Sequence, residues 1–291
     1  MVMKRSLLGS SSREAEAAVD GLDLPWNRYG IDPYGVSKRH LVEVLTGFGW
    51  FYRRYFRVRA HGVSSVPSRG RAMLVGNHSG GVALDAAMIL TSLMLDGTPP
   101  RLAHGMAEKF LAALPFASEW ATRCGQFTGL PEHARRLLED ERLLLVFPEG
   151  ASGTAKLFPE RHTLVKFGSG FMRLALETRS PIVPVAFLGG GEAIPTVHNS
   201  YRLGRMLGVP YVPFTPYAVP APLPVRLDVL YGAPMRFEGD GSENDDVIEH
   251  QVEAVRTRIA ELCELGLRLR RGRISEAELG VALRGGRPCG S

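Results

Sequence analysis

Apolar positions in this chain fall into short continuous runs separated by longer stretches of helical period. Short unbroken apolar runs are strands buried on both faces, and the candidates are residues 72–76, 101–103, 126–129, 143–147, 182–187 and 226–230. Between them the pattern predicts helices over 82–95, 106–114, 132–141, with Pro131 at its start, and 163–177. Strands and helices in alternation predict an α/β fold, a mostly parallel central sheet flanked by helices. Segment 245–271 repeats apolar residues at Ile248, Val252, Val255, Ile259 and Leu262, the stripe of a C-terminal amphipathic helix. Its last turns carry Arg268, Arg270, Arg271 and Arg273, a solvated basic face that complements the negative end of the helix dipole. Residues 41–56, LVEVLTGFGWFYRRYF, set large apolar side chains beside Arg53 and Arg54. That suits an N-terminal interfacial helix at a membrane, and equally a helix packed on the chain's own core. The expected organisation is a disordered N-terminal tail (1–35), an interfacial helical segment (36–60), a central α/β domain (61–238), a linker and C-terminal helix (239–271) and a basic, Gly-rich tail (272–291).

With 291 residues, 45% of them hydrophobic and 22% charged, the chain has an ordinary globular composition. Three cysteines, Cys124, Cys263 and Cys289, are odd in number and lack metal-ligand spacing, so neither a disulfide scaffold nor a metal site is expected. The N-terminal basic residues precede only a two-leucine patch, too little for a signal-peptide core. No uncharged apolar run approaches the ~18 residues of a membrane span. The expected location is the cytoplasm, peripheral on the inner face of the membrane. A net charge of +5 suits an anionic bilayer or a phosphate-bearing substrate. Nucleic acid is the other partner a basic protein suggests, but neither a zinc-finger pattern nor the aromatic strand motif of an RNA-binding sheet is present, so none is expected.

Candidate chemistry sits where strands end. Ligands of a parallel sheet gather outside the carboxyl ends of its strands, and two polar sequences fall there: Asn77-His78-Ser79-Gly80 and Pro148-Glu149-Gly150. Asp85 is the only charge in residues 82–95, and a carboxylate buried there costs several kcal/mol unless paired or hydrogen-bonded. His78 is its nearest candidate partner, a base with its orienter. In one continuous helix the two would be separated by a rise of about 10.5 Å. Gly80 and Gly81 resolve the distance by letting the chain turn before the helix starts, which folds the imidazole back on the carboxylate. Across the crevice, the glycines after Glu149 allow a ligand close to backbone amides near Gly150, and Lys156 is a cation for an anion or a developing oxyanion. Ser152 is not a hydrolase nucleophile, since Thr154 stands where Gly-x-Ser-x-Gly requires glycine. Residues 181–187 with Gly189, Gly190 and Gly191 read as a buried strand and a flexible loop that shape a pocket wall.

These blocks, in this order and separation, resemble the phospholipid/glycerol acyltransferase family, whose signatures are Asn-His-x4-Asp, Phe-Pro-Glu-Gly-Thr-Arg-Ser and a late Ile-Val-Pro-Val strand. The likeness spans about residues 70–200 and implies a glycerolipid acyltransferase-like fold for 61–238. It makes His78 and Asp85 the catalytic pair and places Asn77, Ser79, Gly80, Glu149, Gly150, Ser152 and Lys156 at the substrates. Two departures stand out: six residues separate His78 from Asp85 where the family has four, and Ser152 occupies the place of an arginine thought to hold acceptor phosphate. A second arginine, expected after Gly125 to Phe127, is also missing, leaving Lys156 or Arg161 as substitutes or a neutral alcohol as acceptor.

The function that follows is transfer of a fatty acyl group from a thioester donor, acyl-CoA or acyl-ACP, to a hydroxyl of a glycerolipid or related lipid, with no bound cofactor. His78 acts as general base and Asp85 fixes its tautomer. Two alternatives differ in class. One is a lipid-binding protein on the same scaffold without turnover, suggested by the widened His–Asp interval. The other is a metal-dependent phosphoesterase, for which Gly-Asn-His after a strand is a partial match but the upstream Asp-x-His is missing.

Overall fold

A computed structural model describes residues 2–79, 84–107, 117–217 and 221–284. The helices are α1 (Val2–Asp20), α2 (Lys38–Trp50), α3 (Leu84–Leu95), α4 (Ala117–Arg123), α5 (Pro131–Glu139), α6 (Ala151–Thr154), α7 (Gly170–Glu177), α8 (Gly190–Ala193), α9 (Tyr201–Leu207), α10 (Asp245–Arg270) and α11 (Glu276–Arg284). The strands are β1 (Arg59–His61), β2 (Ala72–Gly76), β3 (Ala103–Ala107), β4 (Gln126–Thr128), β5 (Leu143–Val146), β6 (Ile182–Leu188), β7 (His198–Ser200), β8 (Val212–Phe214) and β9 (Asp228–Tyr231). Seven of these strands form one sheet in the order β1-β9-β6-β2-β5-β3-β4, with β7 and β8 paired separately. Every neighbour pair in the large sheet is parallel except β6 with β9. The fold is therefore the expected α/β class with a mostly parallel sheet flanked by helices.

Helices on both faces explain why β2 and β6 are apolar and buried at every position. On one face α10 lays Ile248, Val252, Val255, Ile259 and Leu262 into the core, the stripe its period predicts. Gly266 continues that stripe because the helix lies so close to the sheet that a Cβ there would sit 2.2 Å from Leu188 Cδ1. On the other face Met88, Ile89 and Leu93 of α3 pack with Tyr52 and Phe56 against β2, β5 and β6. Pro184 lies inside the central strand β6, where a missing N–H normally breaks a ladder. It is tolerated because β9 ends beside it at Tyr231. The following Gly232 donates its N–H to the Pro184 carbonyl at 2.9 Å and, having no side chain, leaves room for the ring.

Several expectations need correction. The N-terminal tail is not disordered through residue 35: it contains α1, whose Ala15, Ala18 and Val19 are buried against Leu41, Leu45 and Met94. A short run of small apolar residues carries little periodic signal alone, and its partner is supplied by α2. The 41–56 helix is α2 extended by a π-helical turn over Phe51–Tyr55. Its stripe of Leu41, Leu45, Gly49, Tyr52 and Phe56 is buried in the chain's own core, with Phe51 left outside. Residues 103–107 are strand, so the helix expected over 106–114 does not begin at Met106, and residues 108–114 lie outside the described residues. The helix expected over 163–177 starts only at Gly170, because the preceding loop is tied down: Val165 N–H donates to Glu149 and Gly168 N–H to the Pro148 carbonyl. The basic C-terminal tail contains α11, with Leu279 and Leu283 buried. Cys124 and Cys263 are buried free thiols, and Cys289 lies outside the described residues.

The Arg270 side chain is not a solvated charge at a helix end. Asp228, at the start of β9, is fully buried between Arg270 Nε at 2.6 Å and Arg59 Nε at 2.8 Å, and Arg270 also donates to the Leu188 and Arg226 carbonyls. Burial pushes the Asp228 carboxyl up, but His61 and the two guanidinium groups hold it down at about 2. Its stabilising contribution is present above the unfolded value near 3.8 and is lost as pH falls through about 2. Asp228→Asn is expected to cost about 3 kcal/mol in urea unfolding at neutral pH, because buried guanidinium charge loses its partner. The difference from wild type should shrink as pH is lowered from 4 toward 2.

Candidate active site

The site begins where β2 leaves the sheet. Asn77, buried, locks that strand end to β6: its Nδ2 donates to the Phe187 carbonyl at 3.0 Å, and Phe187 N–H donates to its Oδ1 at 2.7 Å. The next residue is thereby aimed off the sheet's carboxyl edge. His78 N–H donates to Glu149 Oε1 at 2.8 Å, so the turn after β5 fixes the backbone that carries the imidazole. The other Glu149 oxygen receives Val165 N–H at 2.9 Å and Lys156 Nζ at 2.6 Å. Lys156 Nζ also donates to the His78 carbonyl at 3.1 Å. The imidazole stacks on Phe147, with ring centroids 4.3 Å apart and planes 10° from parallel.

Asp85, in the first turn of α3, is completely buried. Its Oδ2 lies 2.6 Å from His78 Nδ1 and accepts Ser79 N–H at 2.8 Å, while Oδ1 accepts Ala86 N–H at 2.8 Å. Three donors on one carboxylate offset its desolvation. An ionised carboxylate only accepts, so Nδ1 carries the proton and Nε2 is left as an acceptor. Among the described residues Nε2 makes no hydrogen bond. Burial pulls the His78 pKa down, but the charge and hydrogen bond of Asp85, with Glu149 behind it and Lys156 opposing, carry it above the usual 6.5.

Close packing leaves no slack in this arrangement. A Cβ on Gly153 would sit 2.7 Å from both Glu149 Cβ and His78 Cβ, and one on Gly190 would sit 2.5 Å from Ser79 Oγ. The glycines after β6 therefore form a tight helical turn, α8, against Ser79 rather than a flexible loop. Gly150 has φ 55°, a left-handed conformation that suits glycine at the turn after Glu149.

His78, Asp85, Ser79, Glu149 and Lys156 are thus joined in one hydrogen-bonded unit beside Asn77, which is bonded to Phe187, although six residues intervene between the imidazole and the carboxylate. Gly80 and the turn expected around it lie outside the described residues. Two expected donors sit differently from expectation. The Gly150 N–H is engaged by the Phe147 carbonyl at 3.0 Å, and the Lys156 side chain, 4% exposed, is paired with Glu149 instead of standing free for an anion. Arg161 is turned to Glu192, at 3.3 Å, and over the Phe158 ring. Ser152 is exposed on the rim of a cavity of about 330 Å³ that Lys156, Thr163, Val165, Tyr201 and Tyr211 also line. Sequence reasoning missed Val165, which acts through its backbone N–H and so leaves no side-chain signal. It also gave no role to Phe147, though the aromatic position opening Phe-Pro-Glu-Gly was visible.

Two substitutions test this framework. Gly153→Ala is expected to cost about 1–3 kcal/mol of stability, read by urea unfolding, because His78 and Glu149 must shift. Lys156→Met leaves Glu149 buried without its cation and should cost about 3 kcal/mol. Wild-type stability with selectively weakened binding of an anionic substrate would instead make Lys156 a binding residue.

Residues 57–188 match the family model described as Acyltransferase. An uncharacterized protein of Mycobacterium tuberculosis is 34% identical over 220 residues, which are 73% of this chain and 60% of the relative. An uncharacterized protein of Mycobacterium leprae is 32% identical over 215 residues, 71% of this chain and 59% of that one. The chain thus spans about three fifths of the length of these curated relatives. Among solved structures, the crystal structure of the 1-acyl-sn-glycerophosphate (LPA) acyltransferase PlsC from Thermotoga maritima has the same fold, with a TM-score of 0.50 and 19% identity over 77% of this chain and 82% of that one.

Proposed function

We propose that this chain, whose residues 57–188 match the Acyltransferase family model, is a phospholipid/glycerol-type acyltransferase that transfers an acyl group from a thioester donor to the hydroxyl of a lipid acceptor. The donor is acyl-CoA or acyl-ACP, and the acceptor is a glycerolipid or a related lipid alcohol. The observation that carries this reading is the 2.6 Å contact between His78 Nδ1 and a fully buried Asp85. It leaves Nε2 as a base in a fixed orientation.

The acceptor hydroxyl gives its proton to His78 Nε2 as its oxygen attacks the thioester carbonyl. Asp85 stabilises the imidazolium that forms. The tetrahedral oxyanion collapses with cleavage of the carbon–sulfur bond, and the departing thiolate takes the proton from Nε2. The products are an ester and a free thiol, and His78 is again neutral. No acyl-enzyme is needed, which accords with the absence of a nucleophilic serine motif around Ser152. The place of work in this reading is a membrane surface on its cytoplasmic face. No described helix is long and apolar enough to cross a membrane.

The test is release of free thiol from acyl-coenzyme A in the presence of a panel of lipid acceptors, with products identified by lipid mass spectrometry. His78→Ala is expected to lower acceptor-dependent turnover by about 10²–10⁴-fold, and undiminished turnover would remove the mechanism. Lipid binding without thiol release for every acceptor would favour the non-catalytic reading.

The pH profile gives a separate check. A general base must be neutral, so kcat/KM should rise with pH through a value above 6.5. Asp85→Asn removes the two largest influences that raise the His78 pKa and leaves burial, which lowers it, opposed only by the weaker pull of Glu149. The acid limb should therefore move to lower pH while the plateau falls. A limb that stays in place would detach Asp85 from the titrating group.

A further inference from the structure

The segment between α8 and β9 differs in surface chemistry from the rest of the molecule. Residues 193–227 contain no aspartate or glutamate although the chain has 30 acidic residues, and they include Arg202, Arg205 and Arg226. None of these arginines makes an ion pair among the described residues. Several other arginines pair with carboxylates, among them Arg53 with Asp96, Arg59 with Asp228, Arg71 with Glu141 and Arg135 with Glu177, whereas exposed Arg54 and Arg57 also make no ion pair among the described residues. The same segment exposes Met206 (76%), Leu207 (61%), Tyr201 (58%) and Val197 (52%), and also Phe214 and Leu223. Large apolar side chains gathered on one exposed segment mark an interaction surface rather than ordinary scatter.

The described residues of the segment make defined contacts with one another and with the rest of the chain. β7 pairs antiparallel with β8, and α9 between them is pressed onto the chain that follows, since a Cβ on buried Gly204 would sit 2.6 Å from Tyr211 Cα. Two hydrogen bonds fix it to the wall of the candidate active site, and a third closes the segment on itself. Asn199 Nδ2 donates to the Ala155 carbonyl at 2.6 Å, Phe158 N–H to the Thr196 carbonyl at 2.8 Å, and Leu223 N–H to the Ala193 carbonyl at 2.7 Å. Tyr201, at the start of α9, belongs both to this exposed face and to the lining of the cavity that Ser152 and Lys156 share.

We propose that the described residues of this segment, 193–217 and 221–227, form a docking platform for an anionic lipid bilayer. Apolar side chains of α9 enter the headgroup boundary, unpaired arginines face the acidic headgroups, and the lining shared at Tyr201 puts the cavity beside the surface from which a lipid acceptor enters. A membrane is favoured over a protein partner because the segment combines exposed apolar side chains with cationic groups and itself contains no acid, Glu160 of the shared cavity lying outside it, which is the composition of interfacial segments. The stripe of α2, the other candidate anchor, is buried in the core. This inference deepens the acyl-transfer reading, resting on it only for the lipid nature of the acceptor, and its test requires no turnover.

The experiment is flotation of the full chain with vesicles of phosphatidylcholine alone or mixed with phosphatidylglycerol. Wild type should float with the anionic vesicles and be released by high salt. Met206→Ser/Leu207→Ser should weaken binding at least tenfold. Arg202→Ala/Arg205→Ala should weaken it on the order of 30-fold at low salt. Val281→Ser, at an exposed apolar position on α11, should change nothing. Circular dichroism checks that the variants fold, and a polarity-sensitive dye on Leu207→Cys should shift to the blue only on anionic vesicles. Binding equal to wild type in both double variants, or a dye that does not shift while wild type floats, would overturn the proposal. A wild-type dimer that the variants dissolve, without vesicle binding, would overturn it in favour of a second copy of the chain.

Discussion

Glu149 joins the parts of this molecule that would otherwise be independent. Its carboxylate is inaccessible to solvent and holds the backbone of His78, the backbone of Val165 and the Lys156 ammonium at once. A charge removed from water this completely costs several kcal/mol unless its lone pairs are filled, and three donors from three separate segments fill them. The end of β2, the loop before α7 and the segment after α6 are therefore held in one mutual arrangement. If any of the three moved, a buried charge would lose a partner, which is why the segment expected to continue as helix through residues 163–169 remains a tethered loop.

The two buried carboxylates act on the same histidine in different ways. Glu149 holds its main chain, and Asp85 holds its ring. Phe147 stacks beneath the ring, and Gly153 allows the turn carrying Glu149 to approach within contact of the His78 Cβ. The ring thus has its plane, rotation and tautomer fixed by neighbours before any substrate arrives, so the orientation of Nε2 carries little entropic cost during a reaction. Lys156 balances Glu149 within this framework, so its charge acts on the histidine mainly through that pairing and its hydrogen bond to the His78 carbonyl.

The distribution of apolar surface explains the outer layers. α1, α2 and α3 cover one another through Ala15, Val19, Leu41, Leu45 and Met94, and α10 covers the opposite face of the sheet. What remains outside is concentrated between α8 and β9, in a segment where the sheet does not extend and β7 and β8 pair only with each other. A two-stranded ribbon has too little area to bury both of its sides, so the side chains of this segment are available for contact with something other than the protein.

Much of this was legible in the chain. The apolar runs at 72–76, 143–147 and 182–187 have the composition of strands buried on both faces, and the spacing from Ile248 to Leu262 has the period of a helix lying on a sheet. Asp85 announced itself as a charge in an apolar helix beside a single available imidazole. The sequence could not reveal which neighbours complete a marginal element. α1 has too weak a periodic signal to stand without α2, the strand at Ala103–Ala107 takes its register from β5 and β4, and residues 163–169 lose helix to backbone bonds with Glu149 and Pro148. By itself the sequence determined the periodicities and the chemical identity of the pair, because those depend on local order along the chain. Only the tertiary structure decided that Lys156 and Gly150 turn inward, that Arg270 reaches Asp228 and that Arg202 and Arg205 find no ion-pair partner among the described residues, because which charge finds which partner depends on distances between segments far apart in sequence.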